Sequence, residues 1–272
     1  MKIIRRKKDL NKIINKINSL SFIPTMGGLH KGHEFLIKKA KKENKVALVS
    51  IFVNPKQFNS KIDFKSYPRN INKDLKILKK LKVKYLYLPT YKEIFSFKTK
   101  NKIYLHSFSN KLCGKYRPGH FKGVLNVVNR YLELIKPKKI YLGKKDFQQL
   151  VLIKKHISKN NIKTEVVSCN TVRYSNFLPY SSRNGSLSRY STDLASKAFK
   201  LIKKEKKIIK RKKIKKISLI KIKKKLFDFG IKKIDYIEAV NLNSLKKAKK
   251  YNEKFNIFSA FYIGKTRLID NI

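Results

Sequence analysis

Two histidines, three residues apart in a glycine-rich stretch, have the clearest capacity for chemistry in this 272-residue sequence. The stretch is Pro24-Thr25-Met26-Gly27-Gly28-Leu29-His30-Lys31-Gly32-His33. Its paired glycines permit a tight turn close to a ligand, and the amides that open a following helix suit a phosphate group. Histidines can donate hydrogen bonds to phosphoryl oxygens as charge develops. A plain turn with incidental histidines is the alternative, and spacing alone leaves both interpretations open, although two of only five histidines fall here.

Short apolar runs that alternate with amphipathic stretches are the elements that would position this turn. The runs predict strands near 19–24, 46–53, 85–89, 138–143 and 164–169, and the stretches between them predict helices near 33–43, 70–82, 123–136 and 146–160. Such alternation indicates an α/β fold with a parallel sheet covered on both faces. The turn would follow the first strand. Because ligands bind beyond the carboxyl ends of parallel strands, the loops after the strands are where chemistry is expected.

The pattern changes after about residue 174, which predicts two domains, 1–174 and 175–272. The stretch 174–186 is rich in turn residues, lysine-rich helical sequence follows, and short strand-like runs come at 235–240, 255–264 and 266–270. These features predict a smaller α+β domain at the carboxyl terminus, closing over the active site.

The net charge of +53, from 69 Lys+Arg against 16 Asp+Glu, first suggests a nucleic-acid-binding protein. The charge is nearly uniform, however, with 33 basic residues in 1–136 and 36 in the second half, and 59 of the 69 are lysine. Base-reading and bidentate phosphate sites favour arginine. We therefore interpret the charge mainly as compositional drift, with a selected polyanion-binding surface as the alternative.

The segment 201–225 is the most basic part of the chain, with 14 Lys+Arg and one Glu. Its apolar residues follow a roughly helical spacing, which predicts one or two amphipathic helices with a solvated face. An RNA-contacting or lipid-contacting helix is the alternative. The predicted apolar stripe consists of Leu201, Ile202, Ile208, Ile209, Ile217, Ile220 and Leu226.

Several protein classes receive no support from the sequence. No run approaches the roughly 20 apolar residues of a membrane span, and the basic amino terminus lacks the apolar core of a secretory signal. Cys113 and Cys169 form neither a disulfide framework nor a metal-binding spacing. We expect a cytoplasmic protein without a membrane partner or a specific nucleic-acid partner.

Several long motifs, in order along nearly the whole chain, resemble one family. His30-x-x-His33 is similar to the phosphate motif of the nucleotidylyltransferase and class I aminoacyl-tRNA synthetase superfamily. The full set resembles the pantoate–β-alanine ligase family, which implies a Rossmann-like, doubly wound parallel sheet. The matching segments are PTMGGLHKGH (24–33), VSIFVNPKQFN (49–59), DFKSYPRNINKDLKIL (63–78), RPGHFKGVLNVVNRYLELIKP (117–137), YLGKKDFQQL (141–150), SSRNGSLS (181–188) and RLIDN (267–271).

The resemblance implies a two-step ligation. ATP and pantoate would form pantoyl adenylate and pyrophosphate, and β-alanine would then attack the acyl carbon to give pantothenate and AMP. Mg²⁺ would be held largely by the nucleotide, since the sequence shows no carboxylate cluster for a dedicated metal site. The family also implies a homodimer.

Residue roles are implied by the same resemblance. His33, which matches the position of the proton donor, His30 and Lys145 would be catalytic, while Gln57 and Gln149 would hold pantoate or β-alanine. Arg117 and His120 would lie near the site, with a structural role as the alternative for His120. The ATP site would comprise Met26, Gly27, Gly28, Leu29, His30, Lys31, Gly32, His33, Gly143, Lys144, Lys145, Asp146, Val172, Tyr180, Ser181, Ser182 and Arg183.

The sequence departs from the family pattern at a few positions. Lys144 stands where the family usually has Glu, and Asn176-Phe177-Leu178-Pro179 replaces the usual Asp-Gly-Leu-Ala. Phe177 would be strained if the replaced glycine had a positive φ. Tyr180 and Tyr116 are also unusual, and these changes bear on the adenine pocket and turnover. A nucleotidylyltransferase that transfers AMP to a phosphorylated acceptor, or a basic nucleic-acid-binding protein, remain the alternatives.

Overall fold

The computed structural model describes residues 1–43, 46–214 and 216–272. The chain folds as two compact units, Met1–Val172 and Arg173–Ile272.

The first unit is built on a six-stranded sheet in which every neighbouring pair is parallel. The strand order is β1-β4-β3-β2-β5-β6. This confirms the predicted parallel sheet and adds a short edge strand at the amino terminus, so the strand before the glycine turn is the second in the chain and not the first. The strands are β1 Lys2–Ile4, β2 Ser21–Thr25, β3 Ala47–Ile51, β4 Tyr85–Tyr87, β5 Lys139–Gly143 and β6 Glu165–Cys169.

Helices cover both faces of this sheet, as side-chain alternation along β2 shows. Ile23 belongs to a buried cluster that includes Ile37 and Leu78, while the ring of Phe22 packs edge-on against Tyr131, with 5.1 Å between the ring centroids. Because successive residues of a strand point to opposite faces, neither face is left to solvent. The helices are α1 Lys7–Ile14, α2 Lys31–Glu43, α3 Lys61–Lys65, α4 Ile71–Lys80, α5 Tyr91–Phe95, α6 Cys113–Tyr116, α7 His120–Ile135 and α8 Phe147–Lys159.

The second unit contains a three-stranded antiparallel sheet of order β7-β8-β9, with β7 Lys233–Asn241, β8 Phe255–Ile263 and β9 Thr266–Asn271. Two helices, α9 Arg189–Arg211 and α10 Ile220–Asp228, belong to the same unit. Phe199 of α9 packs against Phe261 of β8 at 5.1 Å between the ring centroids. The predicted α+β character is confirmed.

The basic segment 201–225 forms parts of two helices, α9 and α10, and Lys215 lies outside the described residues. Leu201, Ile202, Ile209 and Leu226 are buried as predicted, while Ile208 and Ile217 are half-buried. The prediction is wrong for Ile220, which is 76% exposed. Residues four apart lie on the same face of a helix. The buried face of α10 therefore contains Ile222 and Leu226, whereas Ile220, the first residue of the helix, lies on a different face. No helix in the described part of the chain is long and apolar enough to cross a membrane.

Candidate active site

Three neighbouring strands end at one edge of the parallel sheet, and most of the predicted site residues of the first unit follow them. Strand β2 lies between β3 and β5. The chain runs from β2 to β3 and β4 on one side and then crosses to β5 on the other. Such a switch in strand order opens a crevice at the carboxyl ends of the strands. The loops after β2, β3 and β5 carry His30, Gln57 and Lys145, respectively.

The loop after β2 turns on two glycines with positive φ, 80° at Gly27 and 61° at Gly28. Thr25 supports the turn, because its hydroxyl accepts a hydrogen bond from the Gly27 amide at 3.2 Å and donates one to the Ser50 carbonyl at 2.7 Å. A side chain at Gly27 would place its Cβ 2.9 Å from Oδ2 of Asp74. Both the φ value and the lack of space therefore require glycine at position 27.

The carboxylate of Asp74, on α4, contacts the same turn and was missed in the sequence analysis. Its Oδ2 accepts a hydrogen bond from the Gly28 amide at 3.0 Å, and its Oδ1 accepts one from the Leu29 amide at 2.8 Å. Only 2% of Asp74 is exposed. Burial raises the pKa of this carboxyl group, and the hydrogen bonds from the two amides oppose that rise only in part. A carboxylate four residues before the buried Leu78 was the available signal, because that spacing places it on the buried face of the helix.

The two histidine rings lie side by side, with 4.1 Å between their centroids. The Gly32 amide donates to Nδ1 of His30 at 3.1 Å, and the His30 amide donates to Nδ1 of His33 at 3.3 Å. Since each Nδ1 accepts a hydrogen bond, each neutral ring carries its proton on Nε2. Both histidines can thus donate a hydrogen bond through Nε2.

Both histidines are neutral at pH 7. Burial, followed by His33 and Lys145, lowers the pKa of His30 to about 2. Burial also lowers the pKa of His33 to about 4, with Asp146 raising it and Lys145 lowering it. Two neutral imidazoles thus lie in the electrostatic field of the Lys145 cation.

That cation belongs to the loop after β5, which forms a short 3-10 helix, Lys144–Asp146. Nζ of Lys145 lies 3.7 Å from a carboxylate oxygen of Asp146. Lys144, where the family usually has Glu, is exposed and donates to the side chain of Asn170 at 2.8 Å. The positive charge of Lys145 lowers the pKa of both histidines, so its side chain lies within electrostatic range of the two rings.

The loop after β3 forms a 3-10 turn, Pro55–Gln57, which is held tightly against α7. Asn54 is fully buried, accepts from the Lys56 amide at 3.2 Å and donates to the Gly123 carbonyl at 3.1 Å. A Cβ at Gly123 would lie 2.1 Å from the Lys56 carbonyl oxygen. Close backbone contact between α7 and this turn therefore fixes Gln57, a role for Asn54 and Gly123 that the sequence did not predict.

Arg117 and His120 act on the backbone of Gln57. Nδ1 of His120 donates to the Gln57 carbonyl at 2.7 Å, and Nη2 of Arg117 donates to the same oxygen at 3.2 Å. Nη1 of Arg117 lies 3.2 Å from Nε2 of His120 and donates to it. This arrangement favours the structural role for His120. The Gln57 side chain is 8% exposed, and its amide has no hydrogen-bond partner among the residues that the structure describes.

Two neighbouring glutamines of α8 differ in their environments. Gln149 is half-buried, and its amide has no hydrogen-bond partner within the described ranges of the chain. Gln148 is buried, and both of its amide hydrogens and its side-chain oxygen have partners within the fold, so it has no donor left for a ligand. It donates to the carbonyls of Phe108 and Lys111 and accepts from the Cys113 amide.

The remaining predicted ATP-site residues lie at the end of the first unit and in the second. Val172 is the last residue of the first unit. Ser181 precedes the 3-10 helix Ser182–Ser186 and accepts from the Arg183 amide at 3.3 Å. The ring of Tyr180 stacks on that of Tyr174, with 3.7 Å between the centroids. The participation of these residues in nucleotide binding stays a prediction.

The carboxylates near the histidines already have partners within the fold. Asp74 accepts two backbone amides, and Asp146 lies beside Lys145. In residues 1–43, 46–214 and 216–272, no group of three or more His, Cys, Asp or Glu side chains is placed to hold a metal ion. The first unit thus presents hydrogen-bond donors and a lysine to a ligand, which is the chemistry of an anion site.

Comparisons with known proteins agree with this geometry. The chain is 36% identical to the pantothenate synthetase of Thermosipho africanus over all of this chain and 99% of the relative. It is 40% identical to that of Francisella philomiragia over 96% of this chain and 92% of the relative.

Solved structures give the same result. A pantoate-beta-alanine ligase from Francisella tularensis, complexed with beta-gamma ATP and beta-alanine, superposes with a TM-score of 0.84 at 38% identity, over 100% of this chain and 97% of that one. The enzyme from Thermus thermophilus gives a TM-score of 0.89 at 28% identity, over 100% and 99% of the two chains.

The sequence profile of the family described as pantoate-beta-alanine ligase matches residues 2–272. The resemblance inferred from the motifs and the assignment to the ligase class are confirmed over the whole matched length. The chain belongs to the pantoate–beta-alanine ligase family.

Proposed function

We propose that this chain activates pantoate with ATP and transfers the pantoyl group to β-alanine, giving pantothenate, AMP and pyrophosphate. The observation that carries the proposal is the pair of neutral histidine rings, 4.1 Å apart and within electrostatic range of Lys145, in loops at the switch point of the sheet. The Francisella tularensis relative, solved with beta-gamma ATP and beta-alanine, supports the choice of both ligands.

The first step would join two anions, so it needs charge neutralisation and alignment more than covalent help from the protein. A pantoate carboxylate oxygen attacks the α-phosphorus of ATP, the bond between the α-phosphorus and the bridging oxygen breaks, and pyrophosphate leaves with the electron pair. Negative charge gathers on phosphoryl oxygens during the step. The Nε2 hydrogens of His30 and His33 would donate to these oxygens, and Lys145 would supply positive charge.

The second step would use the mixed anhydride as an acyl donor. The neutral amine of β-alanine attacks the acyl carbon, the bond from that carbon to the AMP oxygen breaks with its electron pair leaving on AMP, and the nitrogen releases one proton to water. AMP is a far better leaving group than the oxide of a free carboxylate, which is why adenylation must come first.

Pantoate recognition would depend on Gln57 and Gln149. An amide offers both a donor and an acceptor, which suits the hydroxyl groups and carboxylate of pantoate. The Gln57 amide makes no hydrogen bond within the described residues and is therefore available to a polar ligand, while Arg117 and His120 hold its backbone in place.

Mg²⁺ would arrive with ATP. The carboxylates of Asp74 and Asp146 are engaged with backbone amides and with Lys145, so the fold fits a metal held by phosphate oxygens and water better than one in a protein cage. Bound in that way, the metal would neutralise charge on the leaving pyrophosphate. Gly143, Lys144, Val172 and the segment 180–183 would complete the nucleotide site, on the strength of their motif match.

Two further properties follow from membership in the family and complete the proposal. The chain would act as a homodimer in the cytoplasm. The dimer can be tested by sedimentation in 0.15 M and 1 M salt. The two concentrations are needed because the high net charge opposes association and salt screens that repulsion. A monomer at both salt concentrations would count against it.

A two-stage assay tests the activity. The first stage measures pyrophosphate release from ATP with and without pantoate, and the second adds β-alanine and measures AMP and pantothenate. We expect pyrophosphate release to require pantoate and free AMP to require β-alanine. Pyrophosphate release that ignores pantoate but responds to a phosphorylated acceptor would assign the chain to nucleotidyl transfer and overturn the proposal.

A further inference from the structure

Asp74 connects two parts of the first unit that are far apart in sequence. It lies on α4, yet both of its carboxylate oxygens accept backbone amides of the turn after β2, from Gly28 at 3.0 Å and from Leu29 at 2.8 Å. At 2% exposure, the carboxylate has exchanged water for these two amides. Hydrogen bonds to a charged group are stronger than those between neutral groups. The turn is therefore held from outside its own segment.

The amides that Asp74 accepts immediately precede the histidine pair. Leu29 adjoins His30, whose own amide donates to Nδ1 of His33. Nδ1 of His30 in turn accepts from the Gly32 amide. A displacement of Leu29 would thus move His30 and, through it, the ring of His33. We propose that Asp74 is a positioning residue that holds His30 and His33 in the geometry needed for adenylate formation, an inference that rests on the proposed function.

The absence of a side chain at Gly27 is consistent with the positioning role of Asp74. A Cβ there would lie 2.9 Å from Oδ2 of Asp74, so the carboxylate occupies the space that a side chain would need. Gly27 and Gly28 both have positive φ, a conformation that glycine enters without preferring it. The two charge-assisted hydrogen bonds select this conformation from those that glycine can adopt.

The amides of the turn are already committed. Those of Gly27, Gly28, Leu29 and His30 donate to Thr25, Asp74, Asp74 and His33, respectively. With these four amides satisfied inside the fold, the Nε2 hydrogens of the two histidines would be the donors that this part of the turn presents to phosphate. Their aim consequently depends on how rigidly the backbone of the turn is held.

A merely structural role for Asp74, at the start of α4, is the competing explanation. Acidic residues in the first turn stabilise a helix, and Asp74 occupies that turn. Asn70, the N-cap of the same helix, accepts from the Lys73 amide at 2.9 Å and lies on the exposed surface. Asn70→Ala is therefore a matched control that weakens the start of α4 without removing a partner of the turn.

The experiment compares wild type, Asp74→Asn and Asn70→Ala in the full chain. The amide group of Asn cannot accept from both Gly28 and Leu29, so Asp74→Asn leaves one of those amides unsatisfied. We expect its kcat for pantoate-dependent pyrophosphate release to fall at least tenfold and its KM for ATP to rise, while the KM for pantoate stays within twofold. Asn70→Ala should lose thermal stability and keep its kcat within twofold.

Amide hydrogen exchange at Gly28 and Leu29 supplies a readout that needs no activity. Exchange should quicken at both amides in Asp74→Asn and stay slow in Asn70→Ala. If Asp74→Asn does not fold, Asp74→Glu replaces it, because it keeps the negative charge on α4 while moving the oxygens by one methylene, and the same losses are expected.

Two outcomes would overturn the inference. The first is that kcat falls in both variants in the same proportion to their loss of stability. The second is that amide exchange at Gly28 and Leu29 in Asp74→Asn is the same as in wild type. Failure of the proposed function is distinguishable, since wild type would then show no pantoate-dependent pyrophosphate release while the exchange results still report on the turn.

Discussion

Two turns, 26–33 in the first unit and 174–183 in the second, both contain backbone with positive φ, and they are supported differently. In the first, the residues with positive φ are glycines, at 80° and 61°, and the buried carboxylate of Asp74 accepts from the amides of Gly28 and Leu29. In the second, Phe177 adopts a φ of 78°. A side chain in this region costs about 1–2 kcal/mol. The strain expected for a Phe at the glycine position of the family is thus present.

The second turn offsets this strain through its side chains. Nη1 of Arg173 donates to the Phe177 carbonyl at 3.2 Å, and its guanidinium carbon lies 4.3 Å from the centre of the Phe177 ring. Nζ of Lys203 lies 4.3 Å from the same ring. Arg173 is itself held by Asp270 through hydrogen bonds of 2.6 and 3.1 Å. Phe177 therefore supplies contacts that a glycine could not make.

The comparison shows what each turn can tolerate. Position 27 has no room for a side chain, because it lies against Asp74 beside the histidine pair. Position 177 accepts a large ring because cations and the hydrophobic cluster of the second unit surround it. We infer that position 27 of the first turn is constrained by chemistry and position 177 of the second mainly by packing.

The largest expected effect is on the rate of adenylate formation, which should distinguish a variant of the first turn from a variant of the second. His33→Ala should lower the rate of adenylate formation by about 10²–10³-fold, because it removes a hydrogen bond that strengthens in the transition state. ATP binding, measured by calorimetry, should weaken less. A variant that bound ATP poorly yet kept the maximal rate of pyrophosphate release would contradict this assignment. Phe177→Ala is the matching variant in the other turn and should retain most of the rate.

The next effect tests the support of the second turn. The Asp270 side chain is fully buried and that of Arg173 is 18% exposed, so Asp270→Asn leaves an uncompensated cation and should destabilise the second unit by about 3 kcal/mol. Urea denaturation measures the loss. Glu165→Gln removes an ion pair whose carboxylate is 62% exposed and should cost under about 1 kcal/mol. Equal losses of unfolding free energy in the two variants would show that the buried ion pair of Arg173 and Asp270 stabilises the fold no more than the exposed pair does.

A smaller effect tests whether the first turn tolerates any side chain. Gly27→Ala should destabilise the chain by about 2 kcal/mol, since it combines a left-handed backbone with a close contact to Asp74. It should also reduce pantoate-dependent pyrophosphate release. Gly119→Ala shares the positive φ, at 78°, but its Cβ would have nothing within 4 Å, so it should cost only about 1 kcal/mol. Indistinguishable urea midpoints for the two variants would show that the space beside Asp74 is not limiting.

Much of the fold was readable because its signals are local. Strands β2 to β6 are apolar runs, and their predicted positions differ from the observed bounds by only a few residues. Strand β1 escaped prediction because Lys2–Ile4 contains a single buried residue and shows no alternation that could be recognised. The exposed Ile220 was misassigned because an apolar stripe does not reveal where a new helix begins.

The residues of the candidate site also differ in whether their signals are local in the sequence. Motifs identified His30, His33 and Lys145, because each follows a recognisable strand. Asp74 and Asn54 were not identified for a supporting role, because each contacts backbone groups far along the chain, such as the Gly28 amide 46 residues away and the Gly123 carbonyl 69 residues away. The spacing from Leu78 could place Asp74 on the buried face of α4, but the backbone groups that Asp74 and Asn54 contact depend on the folded chain.

The smallest effect measures the strain in the second turn directly. Phe177→Ala removes the ring and keeps a side chain in the left-handed region, whereas Phe177→Gly removes both the ring and the strain. Glycine loses about 0.4–1 kcal/mol more chain entropy on folding, which is less than the roughly 1–2 kcal/mol of strain that it relieves. Phe177→Gly should therefore be more stable than Phe177→Ala by about 1 kcal/mol, while both are less stable than wild type because the contacts with Arg173 and Lys203 are lost. Urea midpoints of the three proteins measure the order. A Phe177→Ala variant at least as stable as Phe177→Gly would mean that the turn relaxes to negative φ once the ring is gone, and that contacts of the ring alone hold the backbone in its strained form.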